Sequence, residues 1–110
     1  MNQISVNELY PKWLRAQEGG EACTVIDVRE ANEYQQAHVP EAVLIPLSTL
    51  TARTHEFPKE GHVYVICRSG GRSAQAIQYL MQECGHHNLI NVAGGTMAWV
   101  EAAYPVEEGA

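Results

Sequence analysis

The stretch His62-Val63-Tyr64-Val65-Ile66-Cys67-Arg68-Ser69-Gly70-Gly71-Arg72-Ser73 decides how this chain folds. Its β-branched first half predicts a buried strand, and the cysteine and glycines that follow predict a tight loop leading into a helix. Backbone N–H groups at a helix N-terminus have no intrahelical partner and carry the positive end of the helix dipole. A thiol held over such groups has a lowered pKa, so the loop 67–73 is a candidate active site.

The composition is that of an ordinary globular protein. The chain has 110 residues, of which 45% are hydrophobic and 18% charged, and we expect one domain over residues 1–110 with its core at about 4–104. The net charge of −6 argues against a surface that binds nucleic acid or an anionic membrane. Only seven residues are Lys or Arg, yet Arg68 and Arg72 both lie in the candidate loop.

The targeting and cysteine patterns predict a reduced, cytoplasmic protein. No segment near residue 1 combines positive charge with an apolar stretch, and no apolar run is long enough to span a membrane. Cys23, Cys67 and Cys84 form no Cys-x-x-Cys pair, which argues against a disulfide framework, a thioredoxin-type redox pair and a zinc site. We therefore expect a protein that uses neither a metal nor a cofactor.

Apolar runs along the chain predict the strands. The run at 3–5 is expected to form a short edge strand, whereas the continuous apolar run at 42–45 is expected to form a buried one. The complete set of predicted strands is 3–5, 22–26, 42–45, 63–66 and 88–92.

Helical spacings lie between these runs. Ser5 and Glu8 have the spacing of a capping box, which predicts a helix that starts directly after Ser5. A second helix follows the candidate loop and ends at Gly85, which suits the left-handed position after a helix. Its apolar face is predicted to consist of Ile77, Leu80, Met81 and Cys84. Further helices are predicted at 30–36, 47–53 and 96–103.

Strands that alternate with helices predict an α/β fold. We expect a mostly parallel central sheet of four to five strands with helices on both faces. Ligands bind at the carboxyl ends of the strands in such sheets. Because Asp27, Cys67 and Gly94-Gly95 each come directly after a strand, we expect them to share one rim of the molecule.

Four segments together resemble the rhodanese-like sulfurtransferase domain in its single-domain form. Ala37 and Glu41 stand where that family often has glycine, and Thr96 stands where a larger apolar residue is common. The four segments occur in the family's order and, with the predicted first strand, span about residues 4 to 100. They are Ile26-Asp27-Val28-Arg29-Glu30 continued by Glu33-Tyr34, His38-Val39-Pro40-Glu41-Ala42 with Ile45-Pro46-Leu47, the loop 67–73, and Gly94-Gly95-Thr96-Met97-Ala98-Trp99.

The resemblance implies a sulfurtransferase of the thiosulfate type. Cys67 would take a sulfane sulfur from a small donor such as thiosulfate and pass it, as a persulfide, to cyanide, a thiol or a protein acceptor. Asp27 and Arg29 are expected to brace the rim by ion pairing. The substrate-binding residues are expected to be Arg68, Ser69, Gly70, Gly71, Arg72 and Ser73. Ser73 either donates to the sulfur or only caps the helix.

Other functions on this fold stay open beside the enzyme. One is a persulfide carrier that relays sulfur between proteins, and another is a non-catalytic binding module, although such modules often lack the cysteine. Related phosphatase domains use a loop one residue longer than the six residues from Cys67 to Arg72. The shorter cradle suits a persulfide better than a phosphoryl group, so phosphatase activity is disfavoured.

Overall fold

A five-stranded sheet forms the centre of the computed structural model, which describes residues 1–109. Every neighbouring pair of strands in it is parallel. The strands are β1 (Gln3–Ser5), β2 (Thr24–Asp27), β3 (Val43–Leu44), β4 (Val63–Ile66) and β5 (Leu89–Ala93), in the spatial order β1-β5-β4-β2-β3. The outer strand β1 pairs with β5 so that Gln3 lies opposite Asn91. The predicted α/β fold is confirmed.

Helices cover both faces of this sheet, as expected. They are α1 (Val6–Gln17), α2 (Ala31–Gln36), α3 (Gly71–Cys84) and α4 (Gly95–Glu101), and 3-10 turns at Leu47–Ala52 and Thr54–Glu56 join β3 to β4. Helix α3 packs on Val63 and Val65, whereas α1 and α4 pack on Tyr64 and Ile66. This alternation along β4 means that the strand is buried on both sides, which explains its continuous apolar sequence.

The predicted capping box starts α1. The Glu8 N–H donates to the Ser5 hydroxyl oxygen at 3.1 Å, and the Ser5 N–H donates to the Glu8 carboxylate at 3.2 Å. Each side chain therefore satisfies a backbone donor of the other residue, which fixes the boundary between β1 and α1.

Two predictions about burial were wrong. The run at 42–45 was expected to be a buried strand, but β3 contains only Val43 and Leu44 and has the single neighbour β2, so 53% of Val43 is exposed. Met81 was expected on the buried face of α3, yet 42% of it is exposed. The buried face of α3 consists of Ser73, Ala76, Ile77 and Leu80, and this spacing leaves Met81 at the edge of that face, toward solvent.

The two positions at which the family often has glycine differ in backbone conformation. Glu41 has a φ of 73°, in a turn closed by the Ala42 N–H donating to the Val39 carbonyl at 3.1 Å. Ala37 has a φ of −170°, which is extended backbone that any residue adopts. A side chain therefore strains the backbone at position 41 and not at position 37.

We expect Glu41→Gly to raise the free energy of unfolding by about 0.5–1 kcal/mol, because glycine adopts a positive φ without steric cost. The matched variant Ala37→Gly should lower it, because there glycine only adds freedom to the unfolded chain. Urea denaturation measures both. A loss of stability in both variants would contradict the strain assigned to Glu41.

Candidate active site

The candidate loop leaves the sheet at the end of β4 and turns back on itself before α3. Gly70 makes this turn with a φ of 113°, which L-residues with a side chain rarely adopt. As a result the Gly70 N–H donates to the sulfur of Cys67 at 3.1 Å. The sulfur thus lies against the N-terminal end of α3, as the sequence predicted.

Hydrogen-bond donors surround a sulfur that solvent barely reaches. Only 1% of Cys67 is exposed, and the Ser73 hydroxyl oxygen lies 3.3 Å from the sulfur. Burial raises the pKa of the Cys67 thiol, but hydrogen bonds from the Ser73 hydroxyl and from the backbone N–H groups of the loop lower this pKa by more. The pKa of Cys67 therefore lies below its ordinary value, which favours the nucleophilic thiolate.

A side chain that the sequence analysis missed, Asn91 of β5, ties the loop together. Its Nδ2 donates to the Gly70 carbonyl at 3.2 Å, and its Oδ1 accepts from the Ser73 hydroxyl at 2.5 Å. Asn91 is 6% exposed. The one available signal was an amide side chain in the middle of an otherwise apolar strand, which is a position that needs hydrogen-bonding partners.

Helix α4 supports the loop from its other side. The Thr96 N–H donates to the Cys67 carbonyl at 2.9 Å, and the Met97 N–H donates to the Arg68 carbonyl at 3.0 Å. Gly95 has a φ of 59°, and a Cβ there would overlap both of these carbonyl oxygens. The glycine is therefore required for the close approach of α4 to the loop.

The rim residues Asp27 and Arg29 form the ion pair that the sequence predicted. Both are buried, and the Arg29 guanidinium donates to Asp27 through Nη2 at 2.8 Å and through Nε at 3.0 Å. The same Nη2 also donates to the Ala37 carbonyl at 2.8 Å. Arg29 thus joins the end of β2 to the segment after α2, while its role in bracing the rim stays a prediction.

Arg72 is paired with a carboxylate instead of projecting freely over the loop. Its Nη1 and Nη2 each donate to an oxygen of Glu33 at 2.7 Å. The Arg72 hydrogen bonds hold the pKa of Glu33 at about 2. In the sequence, Glu33 stood out only as part of a matching segment, and no pattern predicted this pair, so contact between Arg72 and a substrate stays a prediction.

Arg68 and Ser69 lie on the exposed side of the loop. Arg68 borders a surface cleft of about 280 Å³, whose wall also includes Arg29, Glu33, Thr96 and Met97. Within residues 1–109, Arg68 forms no salt bridge. Its guanidinium is therefore the loop cation that is free to meet an anionic ligand.

Residues 1–109 contain no group of three His, Cys, Asp or Glu side chains placed to hold a metal ion. None of the helices described there combines the length and the apolar character needed to cross a bilayer.

Comparison with known families matches residues 10–102 to the model of the rhodanese-like domain. The chain belongs to the rhodanese-like domain family. A sulfurtransferase of Allochromatium vinosum is 38% identical over 82 residues, which is 74% of this chain and 76% of that protein. The crystal structure of a rhodanese-like domain protein from Staphylococcus aureus superposes with a TM-score of 0.83 and 31% identity over 100% of both chains.

A longer relative contains a similar region. The adenylyltransferase and sulfurtransferase uba4 of Ogataea parapolymorpha is 35% identical over 86 residues. These residues are 74% of this rhodanese-like chain but only 22% of uba4. The likeness therefore concerns one part of that protein.

The ion pair at the rim of this rhodanese-like domain predicts an acid-dependent loss of stability. The pKa of Glu33 falls from 4.5 to about 2 on folding. The ionised Glu33 therefore contributes fully to the free energy of unfolding above pH 4.5, and this contribution disappears as the pH falls toward 2. Glu33→Gln should lower the free energy of unfolding at pH 7 by about 1 kcal/mol, since solvent screens this partly exposed pair. The difference from the wild type should vanish near pH 2.

Chemical denaturation across this pH range measures the effect. Glu56→Gln is the matched control, because Glu56 pairs with Arg53 only three residues away in the chain and its side chain is 36% exposed, against 26% for Glu33. It should change stability little at any pH. A stability difference for Glu33→Gln that does not depend on pH would contradict the assignment.

Proposed function

We propose that this chain is a sulfurtransferase that carries a sulfane sulfur as a persulfide on Cys67. The observation that carries the proposal is the sulfur of Cys67, held among the Gly70 N–H, the Ser73 hydroxyl and the start of α3. Its lowered pKa supplies the thiolate that nucleophilic sulfur transfer needs. Membership of the rhodanese-like family and the similarity to sulfurtransferases support the same chemistry.

The first half-reaction loads the sulfur. The Cys67 thiolate attacks the outer, sulfane sulfur of thiosulfate, and a new S–S bond forms to Cys67. The S–S bond of the donor breaks, and its electron pair leaves with sulfite. Charge is conserved, because the thiolate and the thiosulfate dianion become a persulfide anion and a sulfite dianion. No proton transfer is required in this step.

The second half-reaction unloads the sulfur. An acceptor thiolate or cyanide attacks the outer sulfur of the persulfide and forms a new persulfide or thiocyanate. Cys67 leaves as the thiolate, which the surrounding donors again stabilise. The same hydrogen bonds thus serve Cys67 as nucleophile in the first step and as leaving group in the second.

The loop suits a small anionic donor. Backbone N–H groups between Ser69 and Ser73 concentrate positive partial charge around the sulfur, and Gly70 gives the turn that brings them there. Arg68 is exposed on the loop, and its guanidinium offers two parallel donors to two oxygens of a sulfonate group. We therefore propose thiosulfate or a similar anionic donor as the substrate class.

Incubation with thiosulfate should add the mass of one sulfur atom to the protein, as measured by intact-protein mass spectrometry. Cys67→Ser should abolish the adduct, because it removes the nucleophile. Cys84→Ser is the matched control and should keep the adduct, since Cys84 lies at the far end of α3. A wild-type protein that gains no sulfur from any sulfane donor would overturn the proposed function and leave a binding module.

The pairing of Arg72 predicts how donor affinity responds to a change at Glu33. If Arg72 contacts the donor, an incoming anion competes with the Glu33 carboxylate for the same guanidinium. Glu33→Gln weakens this competition and should lower the KM for thiosulfate several-fold at pH 7. Steady-state kinetics measure the KM for thiosulfate in this variant and in the control Glu56→Gln, whose KM should not change. An unchanged or higher KM in Glu33→Gln would show that Arg72 only braces the rim.

A protein acceptor is the second candidate for the unloading step. The similarity to uba4 favours a protein acceptor, because the matching region of uba4 is one part of a longer chain whose name gives two activities, adenylyltransferase and sulfurtransferase. A relay protein would load sulfur from thiosulfate but release it slowly to cyanide and small thiols. Single-turnover unloading of the persulfide therefore separates the two acceptors.

A further inference from the structure

One hydroxyl proton at the site has two competing acceptors. The Ser73 hydroxyl oxygen lies 2.5 Å from Asn91 Oδ1 and 3.3 Å from the Cys67 sulfur. A serine hydroxyl donates only one hydrogen bond. Ser73 can therefore satisfy Asn91 or the sulfur as a donor, but not both at once.

The orientation of the Asn91 amide follows from its other contact. The group 3.2 Å from its Nδ2 is the Gly70 carbonyl, which can only accept. Turning the amide around would place two carbonyl oxygens against each other there, so Oδ1 must face Ser73. Because Oδ1 also only accepts, the proton between Asn91 and Ser73 belongs to Ser73.

We propose that Asn91 is a positioning residue for sulfur transfer, because its carbonyl oxygen competes with the Cys67 sulfur for the Ser73 proton. This inference rests on the proposed function. With a neutral thiol, Cys67 S–H donates to Ser73, and Ser73 donates to Asn91, so every group is satisfied. When the thiol proton leaves to solvent, the Ser73 hydroxyl rotates toward the sulfur and leaves the buried Asn91 oxygen without a partner.

This competition sets the strength of the nucleophile. An unpaired buried acceptor is costly, so Asn91 makes the thiolate harder to form than the loop donors alone would. A thiol attacks a sulfur centre best when its pKa lies near the ambient pH, because a lower pKa also lowers its nucleophilicity. Asn91 therefore reduces the population of the Cys67 thiolate but raises the nucleophilicity of the thiolate that forms, while Ser73 supplies a donor to the sulfur in its anionic states.

Charged groups near the sulfur do not produce this effect. Arg68 and Arg72 flank it on the loop and α3, and the Asp27–Arg29 pair lies at the end of β2. Neither β5 nor the first five residues of α4 contains a titratable side chain. Since Asn91 is neutral, replacing it leaves all of these charges in place.

A double-mutant cycle tests the proposal on the reduced protein without any sulfur donor. The pH dependence of iodoacetamide alkylation at Cys67, followed by peptide mass spectrometry, gives the midpoint of thiolate formation. Ser73→Ala should raise this midpoint, since the thiolate loses its hydroxyl donor. Asn91→Ala should lower it by about one pH unit, because the Ser73 proton becomes free for the sulfur. The double variant should have the midpoint of Ser73→Ala alone.

A purely structural role for Asn91 gives the opposite result. If Asn91 only holds Gly70 in place, Asn91→Ala should raise the midpoint, with or without Ser73, and this outcome overturns the proposal. An unchanged midpoint also overturns it. Should Asn91→Ala fail to fold by circular dichroism, Asn91→Leu fills the space without an acceptor and carries the same expectation.

Asn88 provides a matched control on the approach to β5. Its amide donates to the Pro58 and Gly61 carbonyls, each at 2.8 Å. Asn88→Ala should lower stability without moving the midpoint. Because alkylation needs no donor or acceptor, its result is independent of the persulfide measurement. The absence of a sulfur adduct would therefore refute sulfur transfer without deciding the role of Asn91. An alkylation midpoint that contradicts the role of Asn91 would likewise leave sulfur transfer undecided.

Discussion

The backbone of Gly95 lies directly against the carbonyl oxygens of Cys67 and Arg68, and the arrangement of the site depends on this close approach. It allows two N–H groups of α4 to bond to the loop. With its carbonyls held on that side, the loop directs its own N–H groups toward the sulfur. The polarity that stabilises a thiolate is therefore a property of the packed backbone, which needs no reorganisation during the reaction.

Because the charges at the rim are paired, the backbone N–H groups are the main groups that stabilise negative charge on the sulfur. Arg29 is bound to Asp27 and Arg72 to Glu33, so the charges of both arginines are largely neutralised near the loop. In the proposed reaction, a fully positive rim would hold the product sulfite as strongly as it attracts thiosulfate. Dipoles around the sulfur with a single exposed cation, Arg68, suit repeated exchange of small anions better.

The sequence was most informative where structure is local. The capping box of Ser5, the apolar run before Cys67 and the glycines of the loop each depend on neighbours within a few residues, and each predicted its element correctly. Residues whose partners lie far along the chain were missed. Asn91 contacts a loop about twenty residues away, and Glu33 contacts Arg72 across 39 positions. The edge position of β3 likewise depends on strand order, which no local pattern encodes.

The pairing of β1 with β5 has a consequence for handling the protein. Asn91 donates its backbone N–H to the Asn2 carbonyl at 2.9 Å, while its side chain holds the loop around Cys67. Through Asn91, the first residues of the chain are thus linked by hydrogen bonds to the loop that holds the Cys67 sulfur. Trimming residues 1–5, or pulling on them through a surface attachment or an amino-terminal fusion, would loosen the strand that aligns the site.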